Sequence, residues 1–300
     1  VTRLLCATDL LPKSERAMDR AGMLAEELGA ELSLLHVVSP TASERVLEQS
    51  LQIAMNRMRS RARPPLWRHG SEPRIIVRTG NPARLICDTV TQEQSGLLVV
   101  GPHERRDVLE GLSGTIAEKV LAARKSPLLF VQTSADVSYR NVLFAVDLSA
   151  EAELAVRAAE TLVLSRDARA TAIHVCVPPL RGMVPSTTAA LRATVARRQL
   201  TGAIHDLLTR ASADCSRYDV VVEEGHPIPA LLRAVETHRP QLLVMGTRAM
   251  GRMRRALLGS VANQLLKEVV DCDVLVVPRI AELASGRACR PPAPGALLRH

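Results

Sequence analysis

Three hundred residues, 47% of them apolar, suffice for two ordinary domains with real cores. Only five residues are aromatic, which works against a base-stacking surface for nucleic acid and leaves the cores to Leu, Val, Ile, Ala and Met. The formal charge of +8 favours anionic ligands, but the basic residues are scattered rather than gathered into an arm, and no apolar run approaches membrane-spanning length.

Taken in chain order, "TRLLCATDL" reads as a short strand ending at Asp9. A helical pattern follows through Ala17, Leu24 and Leu28 and stops at Gly29, and "ELSLLHVV" reads as a second strand. The segment "MNRMRSRARPPLWRH" gathers Arg57, Arg59, Arg61, Arg63, Arg68 and Trp67. Arg57 and Arg61 share a helical face until Pro64-Pro65 ends it, and a solvated helix end is the simpler reading. Next come "IIVRTGNPARLICDTV", the apolar strand "GLLVVG", the stretch from Pro102 to Gly114-Thr115, a further helix and the strand "SPLLFV". The stretch "QTSADVSYR", Gln132 to Arg140, is short and polar and reads as a linker.

From Arg140 the pattern begins again. "RNVLFAVDLS", a helix through Ala155, Ala159 and Leu162, and "ARATAIHVCV" repeat the first elements, so Asp147 matches Asp9 and His174-Val175 matches His36-Val37, at an offset of 138. Gly225-His226-Pro227 then matches Gly80-Asn81-Pro82, "QLLVMG" matches "GLLVVG" and Gly259-Ser260 matches Gly114-Thr115, at an offset of 145. The second copy thus carries a net insertion of seven residues. A repeat of this length is a whole domain used twice. Each copy alternates strands with helices, which predicts α/β architecture: two tandem doubly wound domains, each with a five-stranded parallel sheet and helices on both faces. The expected bounds are 1–135 and 136–279, followed by a flexible tail over 280–300 that is rich in Ala, Pro, Gly and Arg.

Ligands of such sheets bind beyond the carboxyl ends of the strands, where the winding reverses. Asp9 and Asp147 end first strands, and Gly101 and Gly246 end fourth strands. The expectation for Gly246 is a sharp turn with no side chain facing a ligand. Gly259-Ser260 opens a helix with Val261, Leu265 and Val269 as its buried stripe, and Arg248, Arg252, Arg254 and Arg255 lie in between. The first-turn N–H groups suit an anion, but Ser260 acting only as a helix cap explains the same residues, and both readings stand. In the first copy Glu104, Asp107 and Glu110 would repel a phosphate, and Pro102 removes a backbone donor.

These residues resemble the universal stress protein family, in a tandem form that spans residues 2 to 278. Nucleotide-binding members carry G-x2-G-x9-G-[ST] after the fourth strand, an Asp ending the first strand and a Val after the second. The resemblance implies the strand order 3-2-1-4-5 in each domain. It also implies binding of ATP or a related adenine nucleotide, with Mg²⁺ if a triphosphate, by Asp147, Val175, Gly246, Arg248, Gly259, Ser260 and Val261. A weaker counterpart would be Asp9, Val37, Gly101, Gly114 and Thr115. The motif's second Gly is Ala249 in one copy and Glu104 in the other, and members that do not bind ATP break the motif in this way. The resemblance further implies pairing of the two domains through "SPLLFV" and "CDVLVV", and it leaves a homodimer and a protein partner open.

Enzyme chemistry finds no nucleophile with its base, no metal spacing and no G-x4-G-K-[ST] loop, so at most slow ATP hydrolysis is expected. His36 and His174 read as structural, and His103, His226 and His238 as singletons. The six cysteines, Cys6, Cys87, Cys176, Cys215, Cys272 and Cys289, form no C-x-x-C pair. With no secretion signal before the first strand, reduced thiols in a cytoplasmic protein are the expectation. The functional alternatives are a nucleotide-responsive regulator in stress response and a ligand-free module that works through protein contacts.

Overall fold

A computed structural model describes residues 3–41, 43–62, 72–102, 116–123, 125–135, 137–177, 186–247 and 260–279. The first half runs β1 (Arg3–Thr8), α1 (Pro12–Leu28), β2 (Glu31–Val38), α2 (Glu44–Arg61), β3 (Arg74–Thr79), α3 (Pro82–Gln92), β4 (Leu97–Val100), α4 (Ile116–Ala123) and β5 (Leu128–Phe130). The second runs β6 (Tyr139–Ala145), α5 (Ala150–Leu162), β7 (Leu164–Cys176), α6 (Ser186–Arg210), β8 (Tyr218–Glu224), α7 (Pro227–His238), β9 (Leu242–Thr247), α8 (Ser260–Glu268) and β10 (Asp273–Pro278), with a short 3-10 turn before β8.

The architecture is α/β with a mixed sheet flanked by helices. The strands of the two halves join through β5 and β10, the pairing the resemblance implies, into one sheet of ten strands ordered β3-β2-β1-β4-β5-β10-β9-β6-β7-β8. Among the described residues pairing is parallel within each half, and the single antiparallel contact joins them, with Val274, Leu275 and Val276 opposite Phe130, Leu129 and Leu128. Each fifth strand would otherwise leave a row of backbone groups unpaired, and pairing them with each other removes both edges. β7 starts at Leu164, earlier than its apolar run, because Leu164 pairs with Tyr139 before a register shift carries the strand to Arg169 opposite Asn141.

Side-chain alternation sends each strand's apolar residues to both faces. On one face Leu4, Cys6 and Leu34 pack with Ala17, Ala21 and Leu24 of α1 and Met58 of α2, and Val142 and Phe144 pack with α5 and α6. On the other, Leu5, Leu35 and Leu98 meet Ile86 and Val90 of α3 and Leu121 of α4, while Leu143 and Leu243 meet α7 and α8. In α8 Ala262 and Leu265 are buried, as is Val269 just past its end, whereas Val261 is half-buried.

Burial pushes up the thiols of Cys6, also near Asp19, and of Cys272, which reaches about 12 beside Asp273 and Asp271. Both therefore stay protonated and inaccessible at about pH 8, well below those values. Alkylation of the native protein mapped by mass spectrometry is expected to mark the partly exposed Cys87, Cys176 and Cys215 and to spare Cys6 and Cys272 until denaturant is added. Rapid native labelling of either buried thiol would contradict this packing.

Candidate functional site

The winding reverses twice. β1 lies between β2 and β4, and β6 lies between β7 and β9, so the carboxyl ends of first, second and fourth strands stand side by side in each half. At those ends the two halves repeat one local construction. Leu11 N–H donates to Asp9 Oδ1 at 3.0 Å, and Ser149 N–H donates to Asp147 Oδ1 at 3.1 Å. Each carboxylate thereby closes a turn over an intervening leucine. Leu10 and Leu148 sit at φ values of 62° and 60°, a left-handed conformation costing a residue with a side chain roughly 1–2 kcal/mol. Their side chains pack against the core beneath, which helps offset that cost.

A hydroxyl completes each turn by hydrogen bonding to the carboxylate, from Ser14 in the first half and from Ser149 in the second. Ser14 also receives the Thr8 hydroxyl at 3.1 Å, and Ser149 caps α5 by accepting from Ala152 N–H at 3.2 Å. Ser149 is the expected N-cap residue type and needed no tertiary contact to find its place.

The strand-ending histidines brace the same turns. His36 Nδ1 lies 2.8 Å from the Thr8 carbonyl and His174 Nδ1 lies 2.8 Å from the Val146 carbonyl, one residue ahead of each aspartate. A carbonyl only accepts, so Nδ1 carries the hydrogen in both rings. Val37 and Val175, the next residues along, are half-buried at the ends of β2 and β7.

Helix backbone covers both Gly101 and Gly246, and Gly246 does not make the expected turn. Gly246 lies inside β9 rather than in a turn, and its φ is not left-handed. A Cβ there would sit 2.5 Å from the Glu151 carbonyl oxygen and 3.0 Å from Ala152 N, so the missing side chain admits the backbone of α5's first turn. At Gly101 a Cβ would lie 2.8 Å from Ser14 Cα on α1. Both glycines therefore serve strand–helix packing.

Ser260 is the first residue of α8 and Val261 the second. Arg248, Gly259, Gly114 and Thr115 lie outside the described residues, as do Glu104, Ala249, Arg63, Trp67, Arg68, Cys289 and the tail over 280–300. Arg57 and Arg61 do fall on one helix, and Arg61 pairs with Glu15 of α1. A groove of about 470 Å³ opens beside them, with Leu10, Leu11, Pro12 and Met18 as its other wall. Among the described residues no three His, Cys, Asp or Glu side chains could hold a metal ion, and no helix is long and apolar enough to cross a membrane.

One buried cluster was not anticipated. The segment that reads as a polar linker is built into the joint between the halves. Asp273 of β10, fully buried, accepts from Gln132 N–H at 2.8 Å, Thr133 N–H at 2.9 Å and the Thr133 hydroxyl at 2.9 Å through Oδ1. Its Oδ2 accepts from the Tyr139 hydroxyl at 2.5 Å and faces Arg20 Nε of α1 at 3.4 Å. Arg20 stacks on the Tyr139 ring, 4.2 Å from its centre, and donates to the Val137 and Ser134 carbonyls. Burial and the neighbouring Asp273 push the Tyr139 hydroxyl well up, so it remains a donor. The signal was present as an aspartate inside the apolar run "CDVLVV", since a charge buried in a strand needs a partner.

The family model described as "Universal stress protein family" matches the chain twice, over residues 1–132 and 138–278. The chain belongs to the universal stress protein family. Its two matches in one chain of 300 residues make it a tandem member, as the repeat implies. It is 30% identical over 141 residues to the "Universal stress protein in QAH/OAS sulfhydrylase 3'region" of Thermus aquaticus, covering 46% of this chain and 98% of that one. It is 28% identical over 150 residues to universal stress protein YxiE of Bacillus subtilis (strain 168), covering 43% of this chain and 98% of that one. Each of these single-domain relatives thus matches about half of this chain. Over nearly its full length the fold is similar to the crystal structure of a universal stress protein from Archaeoglobus fulgidus DSM 4304, with TM-score 0.64, 20% identity, and coverage of 93% of this chain and 97% of that one.

Proposed function

We propose that this universal stress protein binds ATP or a related adenine nucleotide at the reversal point of its second half and acts in the stress response as a non-catalytic sensor or regulator. The observation that carries the reading is the convergence of Asp147, Val175 and Gly246 at the carboxyl ends of the neighbouring strands β6, β7 and β9. Such a reversal point is where doubly wound sheets receive ligands. In this reading Asp147 and the backbone of Val175 face the adenosine part. Ser260 and Val261 offer the N–H groups of α8's first turn to the phosphates, helped by Gly259 and Arg248. Mg²⁺ arrives on the triphosphate, whose oxygens supply most of its ligands.

The first half, with Asp9, Val37, Gly101, Gly114 and Thr115, is the weaker site in the same proposal. Pro102 follows Gly101 directly and offers no N–H, and Glu104 brings a negative charge towards the phosphates. The division at 135/136, the separate tail over 280–300 and a cytoplasmic location belong to this reading too.

A ligand-free interaction module is the second reading. It is favoured by the contacts at Gly246 and Gly101, which explain both glycines by packing with no ligand present. The two are separated by mass spectrometry for co-purified nucleotide, followed by calorimetric titration with Mg-ATP. Saturable binding in the wild type, lost in Gly259→Glu and kept in Gly114→Glu, is the expected result. Neither carried nucleotide nor heat at millimolar Mg-ATP would leave the interaction module as the function.

A further inference from the structure

Among the described residues the two outer edges of the ten-stranded sheet are β3 and β8, each hydrogen-bonded on one side only. Their sequences are RIIVRT and YDVVVEE, so one edge is basic and the other acidic. Gly80 N–H donates to the Val38 carbonyl and Gly225 N–H donates to the Cys176 carbonyl. Alternate residues of a strand direct their backbone groups to opposite sides. Arg74, Ile76 and Arg78 therefore turn their backbone groups inward to β2, while Ile75, Val77 and Thr79 turn theirs outward. By the same count Asp219, Val221 and Glu223 point inward to β7, and Tyr218, Val220 and Val222 point outward.

We infer that β3 of one copy of this chain pairs with β8 of a second copy, antiparallel and head to tail, extending the sheet from molecule to molecule. The two halves run antiparallel across the β5–β10 contact, so β3 and β8 already have opposite directions when the sheet simply continues. One register satisfies every constraint. Ile75 faces Val222, Val77 faces Val220 and Thr79 faces Tyr218 as the hydrogen-bonded pairs, since all six turn their backbone groups outward. The intervening pairs, where side chains come closest, are then Arg74 with Glu223, Ile76 with Val221 and Arg78 with Asp219.

The faces agree as well. Ile75 and Val77 pack on the α1 side of the sheet, as do Tyr218, Val220 and Val222, whereas Ile76 and Val221 pack on the α3 side. The opposed charges therefore meet on one face of the continued sheet. Arg74 already pairs with Glu93 at 2.9 Å, yet its side chain is 69% exposed and open to a second carboxylate; Arg78 is held by Gln92 at 2.6 Å. Pro73 has no N–H and stops the ladder beyond Ile75.

The same charges oppose pairing of like edges. Two β3 strands centred on Ile76 would set Arg74 against Arg78, and two β8 strands centred on Val221 would set Asp219 against Glu223. The contact is thus heterologous, and each added copy leaves one basic and one acidic edge exposed.

Sedimentation velocity of the full chain over a concentration series tests this. The wild type is expected to form species larger than any closed dimer as concentration rises, and to lose them in high salt. Arg74→Glu/Arg78→Glu has two acidic edges and Asp219→Arg/Glu223→Arg has two basic edges. Each variant alone loses the growing species, and an equimolar mixture of the two regains them. Hydrogen exchange on the wild type adds a readout that needs no variant: amides of Ile75, Val77, Val220 and Val222 become more protected with concentration. A wild type whose size and edge-amide exchange are both independent of concentration overturns the inference. So does an assembly untouched by charge reversal in folded variants.

Discussion

Asp273→Ala is expected to cost the fold about 3–5 kcal/mol, the range for removing one partner of a buried ion pair. The substitution leaves the Arg20 guanidinium, only 3% exposed, without its counter-charge, and it removes the acceptor of the Gln132 and Thr133 N–H groups. Few single changes can orphan so many polar groups, because one carboxylate serves α1, the connecting segment and β10 together. The loss should appear as a lower urea midpoint. The Arg20→Ala, Asp273→Ala double variant should lose less than the sum of the single variants, since the groups act as one network. A wild-type midpoint in Asp273→Ala would show that the joint between the halves is held by apolar contact alone. Because Gln132 also donates from its side chain to the Val269 and Cys272 carbonyls, the connection behaves as part of the second half's scaffold and not as a tether.

The second large effect is expected at Gly246. Gly246→Ala drives a methyl group to within 2.5 Å of the Glu151 carbonyl oxygen, and backbone cannot move aside as a flexible side-chain tip can. The cost falls at the upper end of overpacking, about 3 kcal/mol, as α5 is pushed off β9. Gly101→Ala meets Ser14 Cα at 2.8 Å and should lose somewhat less. Gly202→Ala is the control. It lies within α6 with nothing within 4 Å of the added Cβ, so it is expected to gain roughly 0.5–1 kcal/mol from helix propensity. Thermal melts of the three variants side by side should order them Gly202→Ala, Gly101→Ala, Gly246→Ala, most stable first. Equal stability of Gly246→Ala and wild type would refute the close strand–helix contact. Because Gly246 is structural, loss of nucleotide binding on its substitution would not identify a binding residue, and the titration therefore rests on Gly259→Glu.

Much of this protein is written locally. The 138-residue offset between Asp9 and Asp147 identified a duplicated domain, and alternation of short apolar runs with helical patterns identified an α/β fold. The matched aspartates after β1 and β6 are legible in the spacing of the two copies, though not the turns they close or the left-handed leucines inside them, since leucine carries no such signal. The packing role of Gly246 carries no sequence signal for a related reason. A glycine after an apolar strand looks the same whether it admits a ligand, a turn or a neighbouring helix, and only the position of Glu151, 95 residues earlier in the chain, distinguishes these.

Sequence alone thus determined the family resemblance, the duplication and the set of residues that end the strands, because those depend on patterns within a few tens of residues. Tertiary structure decided what those residues do. It fixed the register in which the two fifth strands meet, turned the apparent linker into a buried clamp around Asp273, and set a basic and an acidic strand at opposite edges with matching registers. Each of these depends on which backbone groups face one another across long separations, and that is settled only when the sheet is assembled.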